Sequence, residues 1–356
     1  MAMVSLFNYT VPGTTDILIE LKGPANSADA LDLVIAAPHG GSKKPTYIDD
    51  RSGNGIVTDK DSFTFEISEL FAQSLIDRYC AGVPYLAINH LHRSKLDANR
   101  ELAEAVSGIV NGVDIATEAW TQYHTLINYA QGLVRDKFGT STGSTGVTGV
   151  NALFFDMHGY KGNDAESNAA ATTGWKDDVN IYGGAFTQWG FRLSDTPSLT
   201  SCPIDDIDSG STIGSLTHAR WLDGQSYECL VRGKTSLASR VNSLLPNVAG
   251  ISNLCGKGTP SFEFPSPYHL ATDTTYCLGA CHYYSGGFDV QIHERMDVDL
   301  TVLPEPSLSG DHFNAMQAEL PRCIRFGGNA IRSEFADVLA QATMGFLRDL
   351  YPQNMR

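Results

Sequence analysis

Short apolar runs alternate along this chain with longer segments that carry an apolar stripe, and this alternation restricts the possible folds more than any other feature. Apolar runs of strand length lie at residues 31–37, 85–90, 152–155 and 288–292. Apolar residues recur with helical spacing at residues 62–79, 113–138 and 331–350. Buried strands that alternate with amphipathic helices are typical of α/β proteins. We therefore expect an α/β fold with a mixed, mostly parallel sheet flanked by helices.

The domain organisation is predicted from length and from two polar segments. The chain has 356 residues, of which 42% are hydrophobic, and this is enough for one sizeable core. Residues 139–149 form a Gly/Ser/Thr run, which predicts a flexible loop but is too short to separate two domains. Residues 160–285 are rich in Gly, Ser, Thr, Asp and Asn. We expect a single domain over residues 1–356, with a loop-rich insertion at about 160–285.

Charge and hydropathy exclude two classes of partner. The formal net charge is −15, and no Lys/Arg cluster is long enough to follow a phosphate backbone, so we expect no nucleic-acid binding. No apolar run reaches the ~18 residues of a membrane span, so we expect no membrane insertion. The first residues lack the basic and apolar regions of a signal peptide, which indicates either a cytosolic start or a mature secreted chain.

The cysteines argue against a thiolate metal site. The chain has seven, an odd number, and no two of them form a CxxC pair. Five of them fall between residues 202 and 281, which suits either disulfides that staple long loops or buried free thiols. The compartment is therefore left open, and the sequence predicts no oligomeric state.

Two strand ends carry a histidine followed by glycine. The first is Pro38-His39-Gly40-Gly41, where glycine would allow a ligand to approach the backbone closely. The second is Asp156-Met157-His158-Gly159, where Asp156 lies on the same side of an extended chain as His158 and could orient its imidazole. Since α/β folds place ligand sites at strand ends, His39 and His158 are candidate metal ligands.

An acidic residue could complete a metal site with these histidines. Glu66 borders the apolar stripe of the predicted helix at 62–79, and a carboxylate in such a place usually needs a partner. A zinc ion held by His39, Glu66 and His158 would leave a fourth position for water, as catalytic zinc requires. Asp61 is the rival ligand, and its alternative role is the N-cap of the same helix.

Two further segments carry candidate substrate-binding and catalytic groups. Arg93 and Arg100 could bind an anionic substrate through their planar guanidinium groups, although composition alone favours surface ion pairs with Asp97 and Glu101. Asp289 to Arg295 end an apolar run with charged side chains, so Glu294 is a candidate general base.

The order of these motifs resembles the N-formylglutamate amidohydrolase family, which is similar in fold to zinc carboxypeptidases. The motifs are a strand followed by PHGG, then D-x-x-T-x-E, R-x-x-x-D-x-N-R, D-x-H-G and Q-I-x-E. The resemblance covers roughly residues 31–160 and 280–350. It implies zinc as the cofactor and a small anionic amide or peptide as the substrate.

The resemblance also implies a role for individual residues. His39 matches the first zinc ligand, Glu66 the acidic ligand and His158 the last ligand. The positions that face a substrate carboxylate match Arg93, Asn99 and Arg100. The family reads Gln-Ile-Glu at its catalytic carboxylate, whereas this chain reads Gln291-Ile292-His293-Glu294.

That departure leaves the identity of the base open. In a regular strand His293 would face the cleft and Glu294 would point away, which would make His293 the candidate base. A β-bulge over residues 292–294 would turn both towards the zinc, with Glu294 as the base and His293 as a stabiliser of the oxyanion. Glu263 is a spare candidate.

The sequence therefore predicts a zinc-dependent hydrolase of the amide bond in an N-acyl amino acid such as N-formylglutamate. One alternative is a metallocarboxypeptidase or a γ-glutamyl peptide hydrolase. The other is a non-catalytic binding protein on the same scaffold, which would keep the anion-binding residues but lack the base.

Overall fold

The fold is seen in a computed structural model that describes most of the chain outside the predicted insertion. The described residues are 1–79, 82–142, 148–159, 180–183, 237–244, 288–293, 312–320, 322–351 and 354. The predicted insertion at 160–285 lies outside them, apart from two short segments, and the single-domain organisation stays a prediction.

Eight strands of the described chain form one sheet. They are β1 (Met3–Thr10), β2 (Ile17–Pro24), β3 (Ala30–Ala37), β4 (Val83–Asn89), β5 (Thr140–Thr142), β6 (Thr148–Gly159), β7 (Asn180–Gly183) and β8 (His312–Leu320). The order is β1-β2-β4-β3-β6-β8-β7, with β5 paired to β6. The central strands β4, β3, β6 and β8 are parallel to one another, and β1, β2, β5 and β7 pair antiparallel. The sheet is therefore mixed, with a parallel centre.

Helices cover both faces of this sheet. Those described are α1 (Thr64–Tyr79), α2 (Leu102–Ala105), α3 (Val113–Phe138), α4 (Leu237–Leu244), α5 (Phe288–His293), α6 (Arg322–Phe326) and α7 (Asn329–Leu350), besides a 3-10 turn at Ser27–Asp29. Apolar residues of α1, α4 and α7 pack with Leu33 and Ile35 of β3. Those of α3 and α5 pack with Val34 and Ala36. Every residue of β3 is buried because successive side chains point to opposite faces and both faces are covered.

The strand register brings four chain segments to one edge of the sheet. Ala36 of β3 pairs with Asp156 of β6, and Ala37 of β3 pairs with Ile88 of β4. His158 of β6 pairs with Glu319 of β8. The carboxyl ends of these parallel strands, and the residues that follow them, therefore lie together where open α/β sheets place their ligand sites.

Two local predictions need correction. Residues 288–292 form helix α5 rather than a strand, so a β-bulge at 292–294 has no strand in which to form. The described side chains of α5 are buried, and periodicity cannot distinguish a strand from a helix in so short an apolar segment. The Gly/Ser/Thr run at 139–149 is not simply a loop, because its ends belong to β5 and β6, which pair antiparallel.

The structure also bears on the expectations about membrane spans and disulfides. Within the described residues, no helix is both long and apolar enough to cross a bilayer. Cys323, in α6, is disulfide-bonded. The other cysteines lie outside the described residues, so the disulfide hypothesis gains support at this one position.

Asp32, on β3, provides a test of the fold that is independent of the site. The carboxylate is 1% exposed, accepts a hydrogen bond from Asn354 Nδ2 at 2.7 Å through Oδ2, and has no hydrogen-bond partner at Oδ1. Burial raises the pKa of Asp32 from 3.8 to about 6. The folded state therefore binds the Asp32 proton more tightly than the unfolded chain does. The free energy of unfolding falls as the pH rises from 3.8 to about 6.

We expect this group to lower the free energy of unfolding by about 3 kcal/mol between about pH 4 and pH 6, since each pKa unit corresponds to about 1.4 kcal/mol. Asp32→Asn should flatten that part of the stability profile, as measured by urea unfolding at a series of pH values. Asp136→Asn removes a carboxylate that is 72% exposed and serves as the matched control. An unchanged profile in Asp32→Asn would contradict this expectation.

Candidate metal centre

His39 follows β3 and is held by tight packing of the two glycines after it. A Cβ added at Gly40 would lie 2.5 Å from the backbone nitrogen of Phe65, and one at Gly41 would lie 2.4 Å from the carbonyl carbon of His90. The His-Gly-Gly motif therefore fits the chain against the start of α1 and the end of β4. The close backbone approach predicted for a ligand is made here by the protein itself.

His158 belongs to β6 and is held in a similar way. A Cβ added at Gly159 would lie 2.3 Å from Arg325 Nε, so the guanidinium group occupies the space that a side chain would need. The ring of His158 lies at a centroid distance of 4.8 Å from the ring of His39, almost perpendicular to it. The structure thus brings the two predicted histidines together.

Asp61 is the carboxylate that joins them. Its Oδ2 lies 3.2 Å from His39 Nδ1 and 3.3 Å from His158 Nδ1, and it accepts a hydrogen bond from the backbone N–H of Gly159 at 3.2 Å. The side chains of Asp61, His39 and His158 are buried, and their ligand atoms lie within 4.8 Å of one another. Asp61 therefore takes the place in the site that was predicted for Glu66.

A separate carboxylate orients each histidine. His39 Nε2 donates to Asp97 Oδ1 at 2.6 Å, and His158 Nε2 donates to Asp156 Oδ2 at 2.7 Å. A neutral imidazole with its proton on Nε2 presents a lone pair at Nδ1. A bound cation would select this tautomer, with both Nδ1 lone pairs beside Asp61 Oδ2, and this carboxylate–histidine pattern is typical of protein metal sites. Without a cation, the Nδ1–H groups donate to Asp61 Oδ2 instead.

The electrostatics of the cluster favour a bound cation. Burial by itself would raise the pKa of Asp61, but hydrogen bonds from His158 and His39 hold that pKa well below its ordinary value. Burial would likewise raise the pKa of Asp97, and the charges of His39 and Arg93 lower it. Burial would lower the pKa of His158, yet the charge of Asp156 raises it well above its usual range. Ionised carboxylates thus surround both imidazoles.

Glu66 lies elsewhere, which corrects its assignment as a ligand. It sits in the first turn of α1, where its side chain is exposed and lines a surface groove with Lys22 and Glu69. The helix begins only at Thr64, so the preceding loop is what reaches the histidines. Asp61 donates its backbone N–H to the carbonyl of His39 at 3.1 Å, and this fixes the loop beside the strand end.

The turn between Asp61 and α1 is strained. Phe63 has a φ of +70°, a left-handed conformation that a bulky side chain rarely adopts. Its ring packs against Phe326 at a centroid distance of 5.1 Å, and Arg332 lies 4.2 Å over its face. Such strain persists only where surrounding contacts impose it, and it lies in the turn that connects Asp61 to α1.

The predicted substrate-binding residues lie around the same centre at different depths. Arg93 Nε donates to Asp97 Oδ2 at 2.9 Å, and its Nη1 lies 3.7 Å from Asp61 Oδ1. Asn99 Nδ2 lies 3.3 Å from His158 Nε2. Arg100 is at the rim, one third exposed, with Nη1 donating to the carbonyl of Asn99 at 2.7 Å and Nε lying 3.2 Å from a carboxylate oxygen of Glu104.

His293 does not face His39 and His158. It ends helix α5, and its Nε2 lies 2.8 Å from His124 Nδ1 while its Nδ1 lies 3.0 Å from Asn128 Oδ1. Its predicted role at the cleft face assumed a strand and fails because the segment is a helix packed on α3. Glu294 and Glu263 lie outside the described residues.

Glu319 is a carboxylate that sequence reasoning missed. It lies near the end of β8, in register with His158 of the neighbouring strand, and accepts a hydrogen bond from Gln317 Nε2 at 2.8 Å. Burial raises the pKa of Glu319 to about 7, partly offset by the charge of His158. The signal was in the sequence, because Gln317-Ala318-Glu319 reproduces the Gln-x-Glu spacing that residues 291–294 lack.

Comparisons with known proteins add little to this geometry. No protein-family model matches the sequence, and no curated protein matches it. Gene product Atu2144 from Agrobacterium tumefaciens is a structural neighbour with a TM-score of 0.38 and 11% sequence identity, over 92% of this chain and 94% of that chain. At that level of similarity, only the site itself can indicate function.

Proposed function

We propose that this protein is a zinc-dependent hydrolase that cleaves an amide bond in a small anionic substrate, on a zinc carboxypeptidase-like scaffold. One observation carries the proposal. The Nδ1 atoms of His39 and His158 converge on Asp61 Oδ2 while a different carboxylate holds each Nε2–H. Two imidazole nitrogens and one carboxylate oxygen, in a buried site at the carboxyl ends of parallel strands, match the protein ligands of a catalytic zinc.

The donor set fits zinc better than harder cations. Calcium and magnesium prefer sites built from oxygen ligands, whereas imidazole suits zinc and its transition-metal neighbours. Zinc bound there would lower the pKa of a water molecule and polarise the scissile carbonyl. Asp97 and Asp156 keep the two rings in the tautomer that can bind metal.

Glu319 is the best-supported general base. Its carboxylate is adjacent to His158 across the β6–β8 pair, and its pKa of about 7 suits proton transfer near neutral pH. It would take a proton from the attacking water and deliver it to the leaving nitrogen. Its presence supports a hydrolase over the non-catalytic binding protein, since that alternative depended on a missing base.

Arg93 and Arg100 support an anionic substrate. Arg93 is already paired with Asp97 and lies close to Asp61, so its role is to position carboxylates of the site as well as to attract an anion. Arg100 is more exposed and can turn towards a bound carboxylate. An N-acyl amino acid such as N-formylglutamate is the leading substrate class, and a glutamyl peptide is the alternative that uses the same chemistry.

The proposal is tested by metal analysis followed by a substrate screen. The purified protein is expected to bind zinc, and the zinc-loaded protein to hydrolyse at least one member of a panel of N-formyl, N-acetyl and γ-glutamyl derivatives of glutamate. Chelation should abolish the activity and zinc should restore it. A protein that binds no zinc, or one whose hydrolysis is insensitive to chelation, would overturn the proposal.

Arg100→Ala is expected to raise KM for the anionic substrate by roughly 10- to 100-fold, since hydrogen bonds to charged groups contribute about 1.5–3 kcal/mol. The zinc content should not change, because Arg100 contacts none of the three ligands. Steady-state kinetics would check this on a substrate and on its analogue with the carboxylate amidated. Arg100→Ala should raise KM for the acid only. Arg78→Ala, on a side chain that is 62% exposed, is the control. Equal effects on both substrates would contradict the proposed role.

A further inference from the structure

A second cluster of metal-ligating side chains lies between α3 and α5. It consists of His124 of α3 and of Asp289 and His293 of α5, all with 0% exposure. Their ligand atoms lie within 4.8 Å of one another. Asp289 and His293 are four residues apart, so the helix places them on one face, towards His124.

The hydrogen bonds of the two imidazoles leave two lone pairs facing each other. His124 Nε2 lies 3.1 Å from the carbonyl oxygen of Ala98 and donates to it, since a carbonyl can only accept. His293 Nδ1 donates to Asn128 Oδ1 at 3.0 Å. In neutral rings, His124 Nδ1 and His293 Nε2 then carry no proton, yet they are 2.8 Å apart. A cation bound by both nitrogens, beside the line that joins them, would remove the repulsion.

Asp289 gives an independent indication of a cation. Its Oδ2 accepts a hydrogen bond from Tyr123 at 3.3 Å, but its Oδ1 has no hydrogen-bond partner and lies 4.0 Å from His124 Nδ1. A buried carboxylate oxygen without a partner is costly unless it meets a charge. Asp289 Oδ1 is thus free to bind the same cation as the two facing nitrogens.

We propose that His124 Nδ1, His293 Nε2 and Asp289 Oδ1 bind a second divalent transition-metal ion. The ligands are again two imidazoles and a carboxylate, which select zinc or a similar metal over calcium and magnesium. As at the first centre, the remaining ring nitrogen of each histidine donates to a fixed oxygen.

This second ion would hold α5 against α3 directly beside the first centre. The backbone N–H of Asp289 donates to Asn99 Oδ1 at 2.8 Å, and the amide nitrogen of Asn99 lies 3.3 Å from His158 Nε2. A ligand atom of Asp289 also lies within 4.8 Å of one from His158. The second site thus fixes the position of Asn99 and, through it, the surroundings of His158. Its existence does not depend on the hydrolase proposal.

The test counts metal ions in the whole chain. The protein is stripped with a chelator, reloaded with Zn²⁺ or Co²⁺, freed of excess metal and measured by elemental analysis. We expect about two ions per wild-type chain and about one in His39→Ala, whose second cluster is unaltered. Cobalt absorption in His39→Ala should indicate a four- or five-coordinate site, and adding Asp289→Asn should abolish that absorption.

Each outcome separates the two sites. One ion in the wild type and none in His39→Ala would overturn the second site but leave the first. The Asn128 amide would then be turned so that its nitrogen donates to His293 Nδ1, and His293 Nε2 would donate to His124 Nδ1. One ion that His39→Ala keeps and Asp289→Asn loses would support the second site and overturn the first. No bound ion would overturn both. Because His39→Ala leaves the second cluster intact, the count stands even if Asp289→Asn fails to fold.

Discussion

Replacing His39 or His158 with alanine is expected to remove one zinc ion per chain and to abolish amide hydrolysis. Each change deletes one of the two Nδ1 donors that converge on Asp61. Loss of several kcal/mol of transition-state stabilisation by the metal corresponds to a fall in kcat/KM on the order of 10³-fold or more. Elemental analysis and initial rates on the same preparations would measure the two effects together.

The acidic ligand is resolved by a matched pair of variants. Asp61→Asn should lose the same zinc ion, whereas Glu66→Gln should keep it, because Glu66 is exposed on the outer side of α1.

Replacing the orienting carboxylates is expected to weaken zinc binding more mildly, by roughly 10- to 100-fold for Asp97→Asn or Asp156→Asn. Full zinc content and activity in His39→Ala and His158→Ala would refute the metal centre.

Glu319→Gln is expected to reduce kcat by at least about 10²-fold while the zinc content stays unchanged. The amide keeps the shape of the side chain and its contact with Gln317, but it cannot accept the proton from water. KM should change little, since Glu319 is proposed to act on the proton and not on substrate binding. Steady-state kinetics together with metal analysis would separate a lost base from a lost metal.

The same experiment decides between the candidate carboxylates. Glu294→Gln and Glu263→Gln carry the same chemical change at the positions favoured by sequence reasoning and serve as the matched comparison. Activity retained in Glu319→Gln and lost in Glu294→Gln would return the role of base to Glu294. A loss of zinc in Glu319→Gln would instead mean that Glu319 supports the metal centre.

Much of the fold could be predicted because its signals are local. The apolar run at 31–37 ends where β3 ends, and the periodic segment at 113–138 coincides with α3. His39 and His158 were found because each lies at the end of such a run beside glycine. In both cases the glycine is required by backbone packing, and this is a constraint that leaves a readable mark on the sequence.

The remaining site residues depend on contacts between distant parts of the chain. Asp61 reaches the histidines because it lies in the loop that bonds to the His39 carbonyl, whereas Glu66 lies on the exposed side of α1. Residue types alone could not distinguish the two carboxylates. In the same way, α5 is helical because it packs against α3, although its alternating apolar residues suit a strand equally.

The sequence by itself was enough to predict the α/β class, and to single out His39, His158 and the basic segment after β4 as parts of the candidate site. Only the tertiary structure decided which carboxylates join them. Glu319 lies more than a hundred residues after His158, and the pairing of β8 with β6 is what brings it to the site. Periodicity reports which side of an element is buried, but strand order and register depend on the packing of the whole sheet, and these set the distances between the chemical groups.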